Sequence, residues 1–410
     1  MPAVHAPIRS RRRLLVLLPT LLCQGCSSVE EPVHDVDVFG TEPRPAYAAI
    51  RERWADRLPV STSGVFSTDD DHILRDGQPF LIKGVVYVPG YPGFLPWDIE
   101  NAASLAPRLR NSIDRDLAQI AAMGANTVRL WGAPEDCYRS IRDAGSLYFL
   151  QTLWIDTETA DLHDPQFKEN TKTYIRSVID RIHRAYADHR PPLIAYLVGN
   201  ELSEATILAT NARHPDLDGY AGAYVSTGQT VNASEAFLAE MADYVKRYER
   251  DTYGITHLVS YANDIRTADL IDTPFLDFRS HNTYSYAVPV YRPGTSAGTV
   301  SGTLLQGWVE ELKARHPELP LLITETGLSV APDAPHVGPP HYGYGGNTLS
   351  EQATGLLEAV EDVETSRPPT AGVVIHEFLD AWWKFGLDDS FSHDPADVEE
   401  WFGVMRLTGK

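Results

Sequence analysis

The chain has 410 residues, of which 43% are apolar and 22% charged, and its formal net charge is −21 at neutral pH. This composition can build a large hydrophobic core and excludes an intrinsically disordered chain. The strong negative charge disfavours nucleic acid and anionic lipid as partners, because both are polyanions. The length fits a single large domain, since α/β barrels commonly exceed about 250 residues.

The first 26 residues are predicted to be an export signal. Arginines at positions 9 and 11–13 precede an apolar segment, 14–22, that is too short to span a bilayer. The stretch Gln24-Gly25-Cys26-Ser27-Ser28 resembles a bacterial lipobox, which implies lipidation of Cys26 and a periplasmic or outer-membrane lipoprotein. Simple secretion is the alternative. Processing at Cys26 would leave Cys137 without a partner for an intramolecular disulfide.

Two further regions follow this signal. Residues 27–57 mix proline, acidic and scattered apolar residues without a period, which predicts a tether. Residues 58–410 are predicted to form one α/β domain, a (β/α)8 TIM barrel. Near its start, two short runs flank Asp76-Gly77, a step typical of a β-hairpin, and we expect this hairpin to cap the bottom of the barrel.

The rest of the domain alternates apolar runs with helical patterns, at the spacing of βα units. The eight predicted strands are 81–86, 126–131, 147–153, 193–200, 257–261, 276–281, 321–324 and 372–376. A capping-box pattern, Thr348-Leu-Ser-Glu351, predicts the start of the seventh helix. The long segments 202–233 and 331–347 are predicted to be loops that shape a substrate site.

Two of these strands end in a glutamate. Glu201 follows the fourth strand and Glu325 the seventh, and the carboxyl ends of all barrel strands open onto one face. Paired carboxyl groups are what glycoside cleavage needs, one to protonate the leaving oxygen and one on the other side of the sugar. The pattern predicts Glu325 as an ionised nucleophile and Glu201 as an acid/base with a raised pKa.

Other residues at the same strand ends are candidates for binding the substrate or orienting the glutamates. Arg129 could hold Glu325 charged, Asn200 could contact a sugar 2-hydroxyl, and a tyrosine hydroxyl after the sixth strand could reach the nucleophile. Aromatic rings match the apolar face of a pyranose. The predicted substrate-binding residues are Arg129, Asn200, His281, Tyr284, Trp382, Trp131 and Tyr87, with Tyr91, Trp97, Trp154 and Trp383 as further aromatic candidates.

The sequence lacks the motifs of metal-dependent and phosphate-binding sites. The histidines show no HxH or HExxH spacing, so the sequence predicts neither a catalytic metal nor another cofactor. The segment Gly343-Tyr-Gly-Gly346 lacks the lysine of a phosphate-binding loop. His376 and Glu377, beyond the eighth strand, are interpreted as a core pair.

Five segments resemble the clan A glycoside hydrolases, the retaining (β/α)8 enzymes with glutamates after strands four and seven. They are Ile82-Lys-Gly-Val-Val-Tyr87, Gly124-Ala-Asn-Thr-Val-Arg129, Gly199-Asn-Glu201, Ile323-Thr-Glu-Thr-Gly327 and Ala381-Trp-Trp-Lys384. The chain is similar to the family 2 catalytic barrel and to the glucan-active families 5 and 72. The resemblance implies that Glu201 is the acid/base and Glu325 the nucleophile.

The sequence therefore predicts an exported retaining β-glycoside hydrolase or transglycosylase that acts on an extracellular or periplasmic β-glucan. Its partner would be an oligo- or polysaccharide, and it would meet the membrane only through a lipid anchor. The main alternative is a non-catalytic carbohydrate-binding lipoprotein on the same scaffold. A barrel hydrolase of another bond, such as an amide, is a weaker alternative because no metal cluster or activated Ser or Cys is visible.

Overall fold

The computed structural model describes residues 64–187, 189–228, 230–287, 303–339, 342–384 and 393–405. The predicted leader at 1–26 with its lipidation site Cys26, and the predicted tether at 27–57, lie outside the described residues. Among the helices in the described ranges, none combines the length and apolar character needed to cross a bilayer.

A small antiparallel sheet precedes the barrel, where the sequence predicted a hairpin. Its strands are β1 (Phe66–Thr68), β2 (Ile73–Arg75) and β3 (Gln78–Pro79). The turn between β2 and β3 contains Asp76 and Gly77, both with positive φ, as an Asp-Gly turn requires. Phe66 and Phe80 pack edge-on against Tyr148, with ring centroids 5.3 and 5.1 Å away. Since Tyr148 begins a barrel strand, the sheet packs at the amino end of the barrel.

Eight parallel strands close into a barrel, in which each strand pairs with the next along the chain and the last pairs with the first. They are β4 (Ile82–Tyr87), β5 (Thr127–Leu130), β6 (Tyr148–Leu153), β7 (Leu193–Asn200), β8 (Leu258–Asp264), β9 (Arg279–Asn282), β10 (Leu321–Thr326) and β11 (Gly372–Ile375). All eight overlap the predicted strands, and the (β/α)8 fold class is confirmed.

Helices connect the strands and cover the barrel. They are α1 (Pro96–Glu100), α2 (Pro107–Ala122), α3 (Glu135–Ala144), α4 (Pro165–Tyr186), α5 (Glu204–Arg213), α6 (Ala233–Tyr253), α7 (Leu304–Arg315) and α8 (Leu349–Thr365). The predicted capping box of α8 forms, because Thr348 accepts from the Glu351 amide and the Glu351 carboxylate accepts from the Thr348 amide. The segment 202–233 was predicted as a loop throughout, yet it contains α5, capped by Ser203.

The strand side chains form two buried layers, because successive residues of a strand point to opposite faces. Val86 and Leu150 lie in the cluster inside the barrel. Val85 and Phe149, one position earlier, lie in the cluster between the strands and the helices. Strands that are buried on both faces read as continuous apolar runs, so the sequence shows where the strands lie but not which face a given side chain occupies.

Candidate active site

The two predicted catalytic glutamates lie at the carboxyl ends of their strands. Glu201 directly follows β7, and Glu325 is the penultimate residue of β10. Gly199 and Glu201 both have positive φ, at 87° and 47°, so the chain turns sharply where β7 ends. The Glu325 side chain is 4% exposed and that of Glu201 is 27% exposed. Glu201 therefore stands closer to solvent at the mouth of the barrel.

Glu325 receives two short hydrogen bonds. A guanidinium nitrogen of Arg129 donates to its Oε1 at 2.7 Å, and the hydroxyl of Tyr284 donates to its Oε2 at 2.6 Å. Burial raises the pKa of Glu325, while the charges of Arg129 and Lys384 and the Tyr284 hydrogen bond oppose that shift. Both carboxylate oxygens are thus held by donors that favour the ionised form.

Glu201 is held more loosely. The amide of Asn282 donates to its Oε1 at 2.8 Å, and the nearest guanidinium nitrogen of Arg266 lies 4.0 Å from its Oε2. Burial, followed by the negative charges of Glu325 and Asp264, raises the pKa of Glu201 to about 8. A carboxyl with such a pKa keeps its proton at neutral pH.

Arg129 and Asn282 connect the two glutamates. Arg129 is fully buried and donates to the Asn200 side-chain oxygen at 2.6 Å and to the Thr324 carbonyl at 2.9 Å. Asn282 donates to Asn200 at 3.1 Å as well as to Glu201. Arg129 was predicted to bind substrate or orient Glu325, and the structure places it beneath Glu325 with its donors directed at protein groups.

Asn282 was missed by the sequence analysis, which placed His281 at the site instead. The Oγ atoms of Ser280 and Ser260 lie 3.1 Å apart across neighbouring strands, and Asn282, two positions on, also faces the barrel interior. His281 faces the other way, with its Nε2 3.5 Å from a guanidinium nitrogen of Arg279. Arg279 donates to the Leu312 carbonyl in α7, so the structure places His281 on the helix side of its strand and not beside the glutamates, where the sequence predicted it.

Tyr87 is also displaced from the predicted site. Its side chain is fully buried between β4 and α2, where its hydroxyl donates to Asp116 at 3.2 Å and contacts the Tyr91 hydroxyl at 2.9 Å. Tyr91 donates to the same carboxylate at 2.7 Å. Both tyrosines therefore pack between the barrel and the helix layer, so Tyr87 does not face the glutamates as the sequence predicted.

The predicted tryptophans differ in exposure. Trp382 is 2% exposed and offers no open ring face, contrary to its predicted role as a sugar platform. Trp131 is partly buried and packs against Trp154, with centroids 5.4 Å apart. Trp154 is 41% exposed and Trp97 is 48% exposed, and Trp97 packs edge-on against Trp383. The accessible indole faces thus belong to Trp154 and Trp97.

The residues after β11 form a polar cluster that the sequence analysis interpreted as a core pair. His376 Nδ1 lies 3.8 Å from Glu325 Oε2. The Lys384 ammonium lies 3.4 Å from Glu377 Oε1 and 3.2 Å from Glu399 Oε2. Burial raises the pKa of Glu377 to about 7, although the neighbouring Lys384 opposes the shift. Two carboxyl groups therefore share the one ammonium of Lys384.

Metal ligands do not cluster in the described part of the chain. Among those residues, no group of three or more His, Cys, Asp or Glu side chains has the arrangement of a metal site. Cys137 is a buried free thiol in the helix layer.

Comparison with known proteins rests on structure. No family model matches the sequence, and no curated protein matches it. Solved structures do match. A family 2 β-galacturonidase from Eisenbergiella tayi, bound to galacturonate, is 18% identical with a TM-score of 0.52, and the match covers 84% of this chain and 51% of that one. The chain shares the barrel fold of this glycoside hydrolase.

Two further solved structures match with similarly low identity and similar TM-scores. A Bacteroides uniformis β-glucuronidase, covalently bound to cyclophellitol-6-carboxylate aziridine, is 15% identical with a TM-score of 0.57, over 84% of this chain and 35% of that one. A Ruminococcus gnavus β-glucuronidase, in complex with C6-substituted uronic isofagomine, is 13% identical with a TM-score of 0.54, over 84% of this chain and 50% of that one. The chain spans about a third to a half of the length of these proteins. At these identities the likeness establishes the fold.

Proposed function

We propose that this protein is a retaining β-glycoside hydrolase or transglycosylase that acts on a β-glucan outside the cytoplasm, where the predicted leader would deliver it. One observation carries the proposal: two carboxyl groups stand at one barrel mouth with different sets of hydrogen-bond donors. Glu325 is held by the Arg129 guanidinium and the Tyr284 hydroxyl, whereas the pKa of Glu201 is raised to about 8. Glycoside cleavage requires one carboxylate and one carboxylic acid.

The reaction would proceed in two displacements. A carboxylate oxygen of Glu325 attacks the anomeric carbon, while Glu201 gives its proton to the departing glycosidic oxygen. Glu201, now ionised, then takes a proton from water or from an acceptor sugar hydroxyl, which attacks the same carbon and releases Glu325. Arg129 and Tyr284 each hold one oxygen of Glu325, so together they fix the orientation of this carboxylate for its attack.

Charge favours a neutral sugar over a uronic acid. The similar structures include a protein bound to galacturonate and others named β-glucuronidases, so a uronide is the obvious rival substrate. Near Glu325, however, the Lys384 ammonium already lies between Glu377 and Glu399. A sugar carboxylate would compete with these two carboxyl groups for the Lys384 ammonium. The exposed indoles of Trp97 and Trp154 suit the apolar faces of glucan units.

The test compares the wild-type protein with Glu325→Gln on β-1,2-, β-1,3-, β-1,4- and β-1,6-linked glucans and on aryl β-glucuronides. Mass spectrometry follows cleavage and chain lengthening, and proton NMR identifies the anomer released first. We expect turnover of a glucan with a β-anomer as first product, and a loss of at least about a thousandfold in Glu325→Gln, because the covalent step needs this carboxylate.

A matched control is Glu169→Gln, which changes an exposed helix glutamate whose side chain is 62% exposed. It should behave as wild type. Equal activity in Glu325→Gln and wild type would overturn the site assignment, and an α-anomer as first product would overturn retention. A protein that binds one glucan without cleaving any would be the carbohydrate-binding lipoprotein of the alternative hypothesis.

A further inference from the structure

His376 is a buried histidine with an unused hydrogen-bonding atom directed at the candidate active site. It follows β11 directly and is 2% exposed. Its Nδ1 lies 3.8 Å from Glu325 Oε2, which is too long for a hydrogen bond. Within the described ranges, no other group bonds to this atom.

The neighbours of both ring nitrogens determine where the proton of His376 lies. The Lys384 ammonium is 3.4 Å from Nε2 of His376. Glu377 Oε1 lies 3.5 Å from the same Nε2, so this side of the ring meets both a donor and a carboxyl oxygen. On the other side, a lone pair on Nδ1 would point at the Glu325 carboxylate and be repelled by it, which places the hydrogen of the neutral ring on Nδ1 with Nε2 accepting from Lys384. The ring stays neutral because burial, Lys384 and Arg129 all lower the pKa of His376 well below its usual value. The Nδ1–H group is therefore a donor that faces Glu325.

Aromatic neighbours fix the orientation of this donor. Trp131 stacks on the His376 ring at 5.5 Å with an interplanar angle of 25°, and Phe402 packs against it at 5.2 Å and 64°. Tyr284, which holds Glu325, lies edge-on to the same ring at 6.3 Å. The Nε1 of Trp131 is also buried and unpartnered among the described residues. Two neighbouring ring N–H groups, of which that of His376 faces the nucleophile, thus lack a protein acceptor within the described ranges.

We propose that His376 is a substrate-binding residue whose Nδ1–H donates to a hydroxyl of the sugar ring attacked by Glu325, and that it helps to determine which sugar is accepted. The inference rests on the proposed function, since it concerns the same site. A buried donor without a partner destabilises the protein, and a ligand that supplies the acceptor removes that penalty. A bound sugar places hydroxyl oxygens next to the carboxylate that attacks it.

His281 provides a matched control. It is likewise 2% exposed, and its Nδ1 also lacks a partner within the described residues. Its ring, however, faces Arg279 and the helix layer. The two histidines therefore share their burial and their unpartnered Nδ1. They differ in their surroundings, because the ring of His376 lies beside Glu325 and the ring of His281 lies beside Arg279.

The experiment uses three variants of the full chain. His376→Phe removes the donor but keeps a ring that can stack on Trp131, and His376→Asn keeps an N–H near the position of Nδ1. His281→Phe makes the control change on the helix side. Each is assayed on the preferred aryl β-glycoside and on its 2-, 3-, 4- and 6-deoxy analogues, and circular dichroism melting verifies that each is folded.

We expect His376→Phe to lower kcat/KM on the full sugar by about tenfold to a hundredfold, the usual effect of leaving a buried polar partner unpaired. On one deoxy analogue, the variant and wild type should perform alike, because each lacks one half of the same hydrogen bond. His376→Asn should recover part of the loss. His281→Phe should show the wild-type preference among the analogues.

Equal losses of His376→Phe on every analogue, or no loss at all, would overturn the inference. Calorimetry also measures how tightly wild type and the three variants bind the corresponding free sugars and disaccharides, including the deoxy forms. If nothing is cleaved, the proposed function fails. The inference about His376 would then stand or fall on whether the substitution weakens binding of the full sugar while leaving one deoxy sugar unaffected.

Discussion

Two glutamates in this protein have pKa values shifted in opposite directions, and the cause is the number and charge of their hydrogen-bond donors. Glu249 in α6 is fully buried and accepts hydrogen bonds from the His183 ring at 3.0 Å and the Tyr196 hydroxyl at 3.0 Å. It also accepts from the ring and the backbone amide of His257, at 2.7 and 2.9 Å. Burial raises its pKa, but the charges and hydrogen bonds of His257 and His183 lower it to about 2.

Glu201 has the opposite balance. Its one short side-chain hydrogen bond comes from the neutral amide of Asn282, and its charged neighbours include Glu325 and Asp264. Burial and these negative charges raise its pKa to about 8. The comparison shows that burial alone does not make a carboxyl group an acid catalyst. The number and charge of its donors decide whether it is a structural anion or a proton donor.

The largest expected effect is the loss of the proton donor. We expect Glu201→Gln to lower kcat/KM by about a hundredfold to ten-thousandfold on substrates with poor leaving groups, the range usual for general acid catalysis. Aryl glycosides with acidic phenols should suffer less in the first step, because they leave without protonation. Steady-state kinetics on both leaving groups would measure this, and an equal loss on both would show that Glu201 is not the acid.

Glu249→Gln should instead affect stability. A glutamate whose pKa falls from 4.5 to about 2 on folding contributes on the order of 3 kcal/mol at neutral pH. That contribution is fully present above about pH 4.5 and is lost as the pH falls toward about 2. Urea unfolding should show the variant less stable at pH 7 and the difference narrowing at pH 3.5, with kcat of the folded protein unchanged. A variant as stable as wild type at pH 7 would contradict this interpretation.

The smallest effect is on the pH profile of activity. As the pH rises through about 8, Glu201 loses its proton and kcat/KM should fall. On the acid side, activity should fall as Glu325 gains a proton. This fall should occur at a higher pH than for an ordinary glutamate, because burial raises the pKa of Glu325. The two carboxyls titrate as a pair, so the profile reports both.

Asn282→Ala sharpens this test. The Asn282 hydrogen bond lowers the pKa of Glu201, so its removal should move the basic limb to higher pH, with a loss of up to about tenfold in kcat/KM at the optimum. If the basic limb of the profile stays in place or moves to lower pH in Asn282→Ala, a group other than Glu201 controls it.

The misplacement of His281 and that of Tyr87 share one physical cause. Strand β9 was predicted at 276–281 and forms as Arg279–Asn282, and the apolar residues ahead of it do not reveal which of His281 and Asn282 faces inward. A shift of one residue exchanges the two faces of a strand. Pairing with β8 and β10 decides the matter, since Ala262 and Leu322 both align with Ser280. Tyr87 was misplaced for the same reason, in a strand buried on both faces.

The sequence by itself determined the barrel and the two strand ends that carry Glu201 and Glu325, because apolar runs and their spacing are local properties of the chain. Only the tertiary structure decided how these groups differ in acidity. Arg129 reaches Glu325 across 196 positions and Asn282 reaches Glu201 across 81. His376 and Lys384 come beside the same carboxylate from beyond the last strand. Protonation depends on such long-range neighbours, and closure of the barrel brings them together.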